Sequence, residues 1–182
     1  MKLKPEILKW IILALILTFC NALRAQSISA SGSWTPSVTA ITEAGNNYAS
    51  STLESAANQT LISVSMPPQD LLFIISFANN YQVWVKRTDS GPNWNTAGLQ
   101  LFVKRTGSGT GGGTSLLLVP SAINNGLTYQ QITTSDVQFF DGYNFGNSTR
   151  SGIPIQYQIT GISVLVPAAT YSTTITYTLV DN

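Results

Sequence analysis

Two stretches, one near each end of the chain, alternate between two kinds of side chain. In "QSISASGSWTPSVTAIT" (residues 26–42) every odd position from Ser27 to Thr39 is Ser or Thr, while the even positions run Ile28, Ala30, Gly32, Trp34, Pro36, Val38 and Ala40. In "TYSTTITYTLV" (170–180) Tyr171, Thr173, Ile175, Tyr177 and Leu179 fall on one face, and Ser172, Thr174, Thr176 and Thr178 on the other. A period of two belongs to strands with one dry face. Between these stretches, turn-forming clusters such as "MPPQD", "SGPN", "INNG" and "RSG" recur at short intervals. Many short strands separated by Gly, Asn and Pro predict an all-β chain folded as one antiparallel sandwich.

Residues 1–25 read differently. Lys2, Lys4 and Lys9 precede the apolar run Trp10–Cys20, and "ALRA" ends in a small residue at Ala25. This is the three-part pattern of a secretory signal peptide. The uncharged run from Trp10 to Leu23 is short of the roughly 20 residues that span a bilayer. The expected mature chain is therefore residues 26–182, with no transmembrane span and with the alternating segment 26–42 at its start. Removal of the leader takes Cys20 with it, so no internal disulfide can form. The only basic pairs left are Lys86–Arg87 and Lys104–Arg105, too few for a nucleic-acid track.

Within 26–182 the pattern predicts strands at 61–66, 71–78, 81–88, 99–106, 115–120, 128–133, 137–140 and 170–180, and one or two strands over 153–167 with a kink near Gly161. "YQVWVKRT" (81–88) and "LQLFVKRT" (99–106) share the frame aromatic–Val–Lys–Arg–Thr. They read as neighbouring strands whose ends place Lys and Arg in solvent. "GSGTGGG" (107–113) lacks the Lys and the following helix of a phosphate loop, and reads as a floppy connection.

Composition removes most catalytic chemistry. With no His anywhere and no Cys beyond residue 20, Ser-His-Asp triads, Cys-His dyads and His-based zinc sites are excluded. The remaining acids, Glu43, Glu54, Asp70, Asp89, Asp136, Asp141 and Asp181, form no pair in a telling context, so no enzyme, metal or cofactor is expected. Asp136, Asp141, Asn144 and Asn147 cluster in sequence but miss the EF-hand spacing, and read as a polar turn loop. Trp84 falls inside a strand and reads as core. Trp94, in the loop "SGPNWN", and Tyr143 are the candidates for an exposed ligand platform.

The C-terminal segment "IPIQYQITGISVLVPAATYSTTITYTL" (153–179) is similar to the ending of secreted pilin-like proteins of the spore coat protein U and chaperone–usher class. Ala169, Thr170 and Tyr171 stand at the turn before the closing strand, and Thr173 to Leu179 at the strand itself. Two departures are the missing disulfide and an Ala where the class has Gly before the turn. The resemblance implies an incomplete immunoglobulin-like, pilin-like sandwich with a hydrophobic groove. A periplasmic chaperone would fill that groove first, and the N-terminal strand of another copy or a related subunit would fill it later, at an outer-membrane usher. On that reading Ile28, Ala30, Trp34 and Val38 are the strand-exchange edge of a secreted structural or adhesive subunit, exported through the periplasm of a Gram-negative cell. The alternative is a monomeric extracellular binding module, for carbohydrate or a surface ligand, in which residues 26–42 are the first strand of their own sandwich.

Overall fold

In a computed structural model, the structure describes Lys9 and residues 26–38, 51–67, 78–92, 94–95, 97–114, 119–145, 148–163 and 166–181. The proposed leader at 1–25, the expected strand at 71–78 up to residue 77, and residues 115–118 lie outside the described residues, Lys9 apart. Among the described residues no helix is long and apolar enough to cross a membrane.

Among the described residues eleven strands follow in order: β1 (Ser27–Ser31), β2 (Ser51–Glu54), β3 (Thr60–Ser65), β4 (Ala78–Ser90), β5 (Gln100–Arg105), β6 (Thr110–Gly111), β7 (Ala122–Asn124), β8 (Gln130–Gln131), β9 (Val137–Phe145), β10 (Thr149–Ile162) and β11 (Ser172–Asp181). They form two antiparallel sheets. The first has the order β1-β3-β10-β5-β8, with β2 and β6 also paired to β10; the second has the order β11-β4-β9-β7. The molecule is an all-β sandwich. β10 is the spine of the first sheet, paired with β3 and then β2 along one edge and with β6 and then β5 along the other. The kink expected near Gly161 is a register shift against β2 between Ile159 and Ile162.

Strand alternation builds the core. Ile62, Val64, Val83, Val85, Val103, Ile153 and Ile155 are fully buried, because every second residue of β3, β4, β5 and β10 points between the sheets. The same period corrects the reading of the two Val-Lys-Arg frames. β4 and β5 are not neighbours; they belong to different sheets. Val85 and Arg87 share the inner face of β4, as Val103 and Arg105 share that of β5, so both arginines are buried while Lys86 and Lys104 turn outward. An inward guanidinium is tolerable only if its donors find acceptors. Arg105 donates from Nε to the Asn125 carbonyl, from Nη2 to that of Ile123 (3.3 Å) and from Nη1 to that of Gly107 (3.3 Å). Arg150, also buried, donates from Nη1 to the Ser108 carbonyl (3.0 Å) and from Nη2 to Ser121 Oγ (2.5 Å).

These bonds show that "GSGTGGG" is not a floppy connection. It lies against the start of β10, with Gly109, Gly111, Gly112 and Gly113 all at positive φ. A Cβ on Gly109 would sit 2.4 Å from the Ser151 carbonyl oxygen, and one on Gly111 2.3 Å from that of Thr149. Glycine is required twice over there, for conformation and for close approach. "DVQFFDGYNF" is a second correction. Residues 137–145 form the continuous strand β9 rather than a turn loop, so Asp141 and Asn144 fall on opposite faces. Gly142 sits in mid-strand because a Cβ would meet the Ala122 carbonyl at 2.7 Å and the Tyr81 hydroxyl at 2.8 Å.

A pair of substitutions separates the two demands on glycine. Gly109 and Gly152 both have φ near the left-handed helix value, +63° and +67°, but a Cβ on Gly152 meets nothing within 4 Å. Gly152→Ala should cost about 1–2 kcal/mol for the left-handed backbone alone. Gly109→Ala should cost clearly more. Urea unfolding of both variants checks this, and equal losses would contradict the close packing of the loop.

Candidate assembly site at the side of the sandwich

The N-terminal segment lies where the outer strands of the two sheets, β1 and β11, approach each other. β1 pairs with β3 of the same chain in the register Ser27↔Ser65 to Ser31↔Leu61. The strand then stops. Gly32 adopts φ +117°, and a Cβ there would stand 2.3 Å from the Gln59 carbonyl oxygen. Gln59 Nε2 donates to the Ser33 carbonyl at 2.5 Å, holding the chain as it turns away. The expected strand over 26–42 is thus corrected to five residues. Residues 32–38 are not strand, and 39–42 lie outside the described residues.

The break at Gly32 divides the proposed apolar edge. Ile28 and Trp34 pack against the core, whereas Ala30 and Val38 are exposed. Trp34 makes the principal contact. Its ring stacks on Tyr157 of β10, with centroids 6.3 Å apart and planes 14° from parallel. The Tyr157 hydroxyl donates to Thr60 Oγ1 (3.0 Å) and shares a hydrogen bond with the Tyr177 hydroxyl of β11 (3.0 Å). Tyr177 in turn lies 6.3 Å from Phe139, which meets Phe140 edge-on at 5.1 Å. A row of aromatic rings therefore runs from Trp34 through both sheets. Tyr157 and Thr60 were not singled out from the sequence, although Ile153, Ile155, Tyr157 and Ile159 alternate in "IPIQYQIT" and mark Tyr157 as inward.

Burial favours the neutral phenol. It raises Tyr157 above the ordinary tyrosine value and Tyr177 well above it, where the neighbouring Tyr157 adds to the effect. Tyr81, buried near Arg150 and Arg105, is pushed up to about 12 by desolvation, which outweighs the pull of both guanidinium groups.

The two proposed platform residues are not brought together. Trp94 is buried, a correction of its expected exposure. The loop after β4 folds back against the start of β11, so Trp94 Nε1 donates to the Ser172 carbonyl (3.3 Å), Tyr171 meets the ring edge-on at 6.2 Å, and the Arg87 guanidinium lies 5.2 Å from its centroid. Tyr143 is half-buried on β9, edge-on to Phe145 at 5.5 Å and paired with Asn80 and Ala122 at the far end of the sheet. Trp84, expected in the core, is on the outer face of β4 and half-buried.

The described carboxylates are dispersed. Asp136 pairs with Lys86 (3.1 Å), Asp89 with Arg87 (3.6 Å), and Asp141 accepts from the Asn124 and Asn125 amides. Among the described residues no three side chains of His, Cys, Asp or Glu gather at one point. Comparison of the chain with family models, with curated proteins and with solved structures returns no match.

The buried hydroxyls make stability dependent on alkaline pH. A phenol whose folded pKa lies above its unfolded value of about 10 contributes in full below pH 10, and its contribution is lost as pH rises past that point. The unfolding free energy from urea titration should hold steady up to about pH 10 and then fall, by up to ~1.4 kcal/mol per pH unit for each buried phenol still protonated in the fold, and the midpoint should fall with it. A midpoint unchanged to pH 11 would contradict the burial of Tyr157 and Tyr177.

Proposed function

We propose that the chain is a secreted, non-catalytic structural or adhesive subunit that assembles with copies of itself through its N-terminal segment. The observation that carries this reading is the separateness of that segment. β1 is only five residues long and forms the outer strand of its sheet, and it delivers one large ring, Trp34, onto the end of an aromatic row. Such a piece can be supplied by a neighbouring copy at little cost, because the ladder to β3 and the Trp34–Tyr157 stack would be reproduced between chains. The proposal includes an immunoglobulin-like sandwich of pilin-like type and export by a leader at 1–25. It also includes display at the cell surface as a fimbria-like fibre, with a periplasmic chaperone and an outer-membrane usher as partners. It is supported by the resemblance of 153–179 and by the unbroken ten-residue ladder of β11 on β4.

One observation favours the alternative of a monomeric extracellular binding module: β1 is paired to β3 of its own chain. Light scattering on residues 26–182 decides between the two. Exchange gives oligomers that survive mild denaturant, and Trp34→Asp, which would bury a charge against Tyr157, should reduce them to single subunits. A stable wild-type monomer with residues 27–38 resistant to protease would overturn the exchange reading.

A further inference from the structure

The outer face of the four-stranded sheet carries a second surface of interest. β4 and β9 shift register between Val83 and Trp84, and the shift sets Trp84 directly opposite Gln138. Across the other ladder Trp84 faces Thr178. The indole Nε1 donates to Gln82 Oε1 at 3.1 Å, two positions back on the same face, which fixes the orientation of the ring. Gln138 is exposed and borders a hollow of about 590 Å³ walled also by Asn125, Leu127, Thr128, Gln130 and Phe139. Gln138 therefore stands between Trp84, its neighbour on β4, and the hollow, which lies along the edge of β9 where Gln130 of the first sheet reaches across.

The wall of the hollow is fixed from beneath. The Arg105 side chain holds the carbonyls of Ile123 and Asn125, and its backbone N–H donates to that of Gly126 at 2.7 Å. Asn125, the one non-glycine residue with positive φ among those described, is held by Asp141 as well. Gln130 Nε2 donates to the Gln138 carbonyl at 2.7 Å and ties the two sides together. The Thr128 hydroxyl and the Gln138 side-chain amide have no partner within the described residues, and no lining side chain is charged.

An oriented aromatic ring beside an amide, with a hollow of uncharged donors and acceptors and the exposed Leu127 beyond that amide, complements one class of small molecule. The C–H face of a sugar ring stacks on an indole, and its hydroxyls exchange hydrogen bonds with amides, each of which both donates and accepts. We propose that Trp84, Gln138 and the adjoining hollow bind a neutral saccharide chain. Neither Trp34 nor Tyr157 lines the hollow, and the assignment does not rest on strand exchange.

The test is a titration of the ¹⁵N-labelled chain 26–182 with cellotetraose, maltotetraose and chitotetraose, and with tetragalacturonate as a charged control. At least one neutral glycan should give saturable shifts at the Trp84 indole and the Gln138 amide at millimolar concentration, with the charged control much weaker. Trp84→Ala and Gln138→Ala should each weaken binding at least tenfold while leaving the melting temperature near that of wild type. No saturable shift with any neutral glycan, or affinity unchanged in a folded Trp84→Ala variant, would overturn the assignment.

Discussion

A two-layered sandwich must keep water out of the side where the outer strands of its sheets meet, and here that depends on Trp34 lying against Tyr157. The inner faces of β10 and β11 carry two phenols whose hydroxyls bond to each other and to Thr60. A buried hydroxyl pair of this kind is favourable only while every donor is matched and water is excluded. Trp34 covers the outermost ring of that row. Among the described residues, the segment that carries it is attached to the rest of the sandwich by a five-residue ladder, the packing of Ile28 and Trp34, and a side-chain bond from Gln59. A light attachment at a point where much apolar surface must stay dry is the physical basis of the assembly proposal.

The other end of the sandwich uses a different device. Arg105 and Arg150 point inward, and glycine-rich backbone wraps around them, offering carbonyl oxygens where side chains would not fit. The guanidinium groups fix the loops, and one of those loops walls the hollow at the edge of β9. Burying a charge to position backbone is costly unless donors are met, and the carbonyls of residues 107, 108, 123 and 125 with the hydroxyls of Ser108 and Ser121 accept from every guanidinium nitrogen of the two except Arg150 Nε.

The all-β class, the long closing strand with Ile175, Tyr177 and Leu179 inward, and the kink at Gly161 were legible from period and punctuation alone. What was not legible came from features that interrupt the period or exploit it unexpectedly. The alternation from Ser27 to Thr39 conceals the break at Gly32, because the residue that ends the strand falls in step with the pattern. The shared frame of β4 and β5 carried the inward placement of arginine, since Val and Arg stand two apart, but general expectation puts arginine in solvent. Trp84 and Trp94 exchanged roles for the same kind of reason. A tryptophan in a strand has even chances of either face, and one in a loop can be buried if the loop folds back, as 91–99 does onto Ser172.

Whether β1 is exchanged between copies can be read from one covalent bond. Ser29 and Ser63 are directly opposite on β1 and β3, and directly opposed antiparallel residues lie within the range a disulfide spans. Residues 26–182 contain no cysteine, so Ser29→Cys with Ser63→Cys in that chain creates a single reporter pair. Non-reducing electrophoresis after oxidation then counts the chains joined. Strand exchange predicts a ladder of dimers, trimers and longer species that collapses on reduction; a single band of internally closed monomer would contradict it.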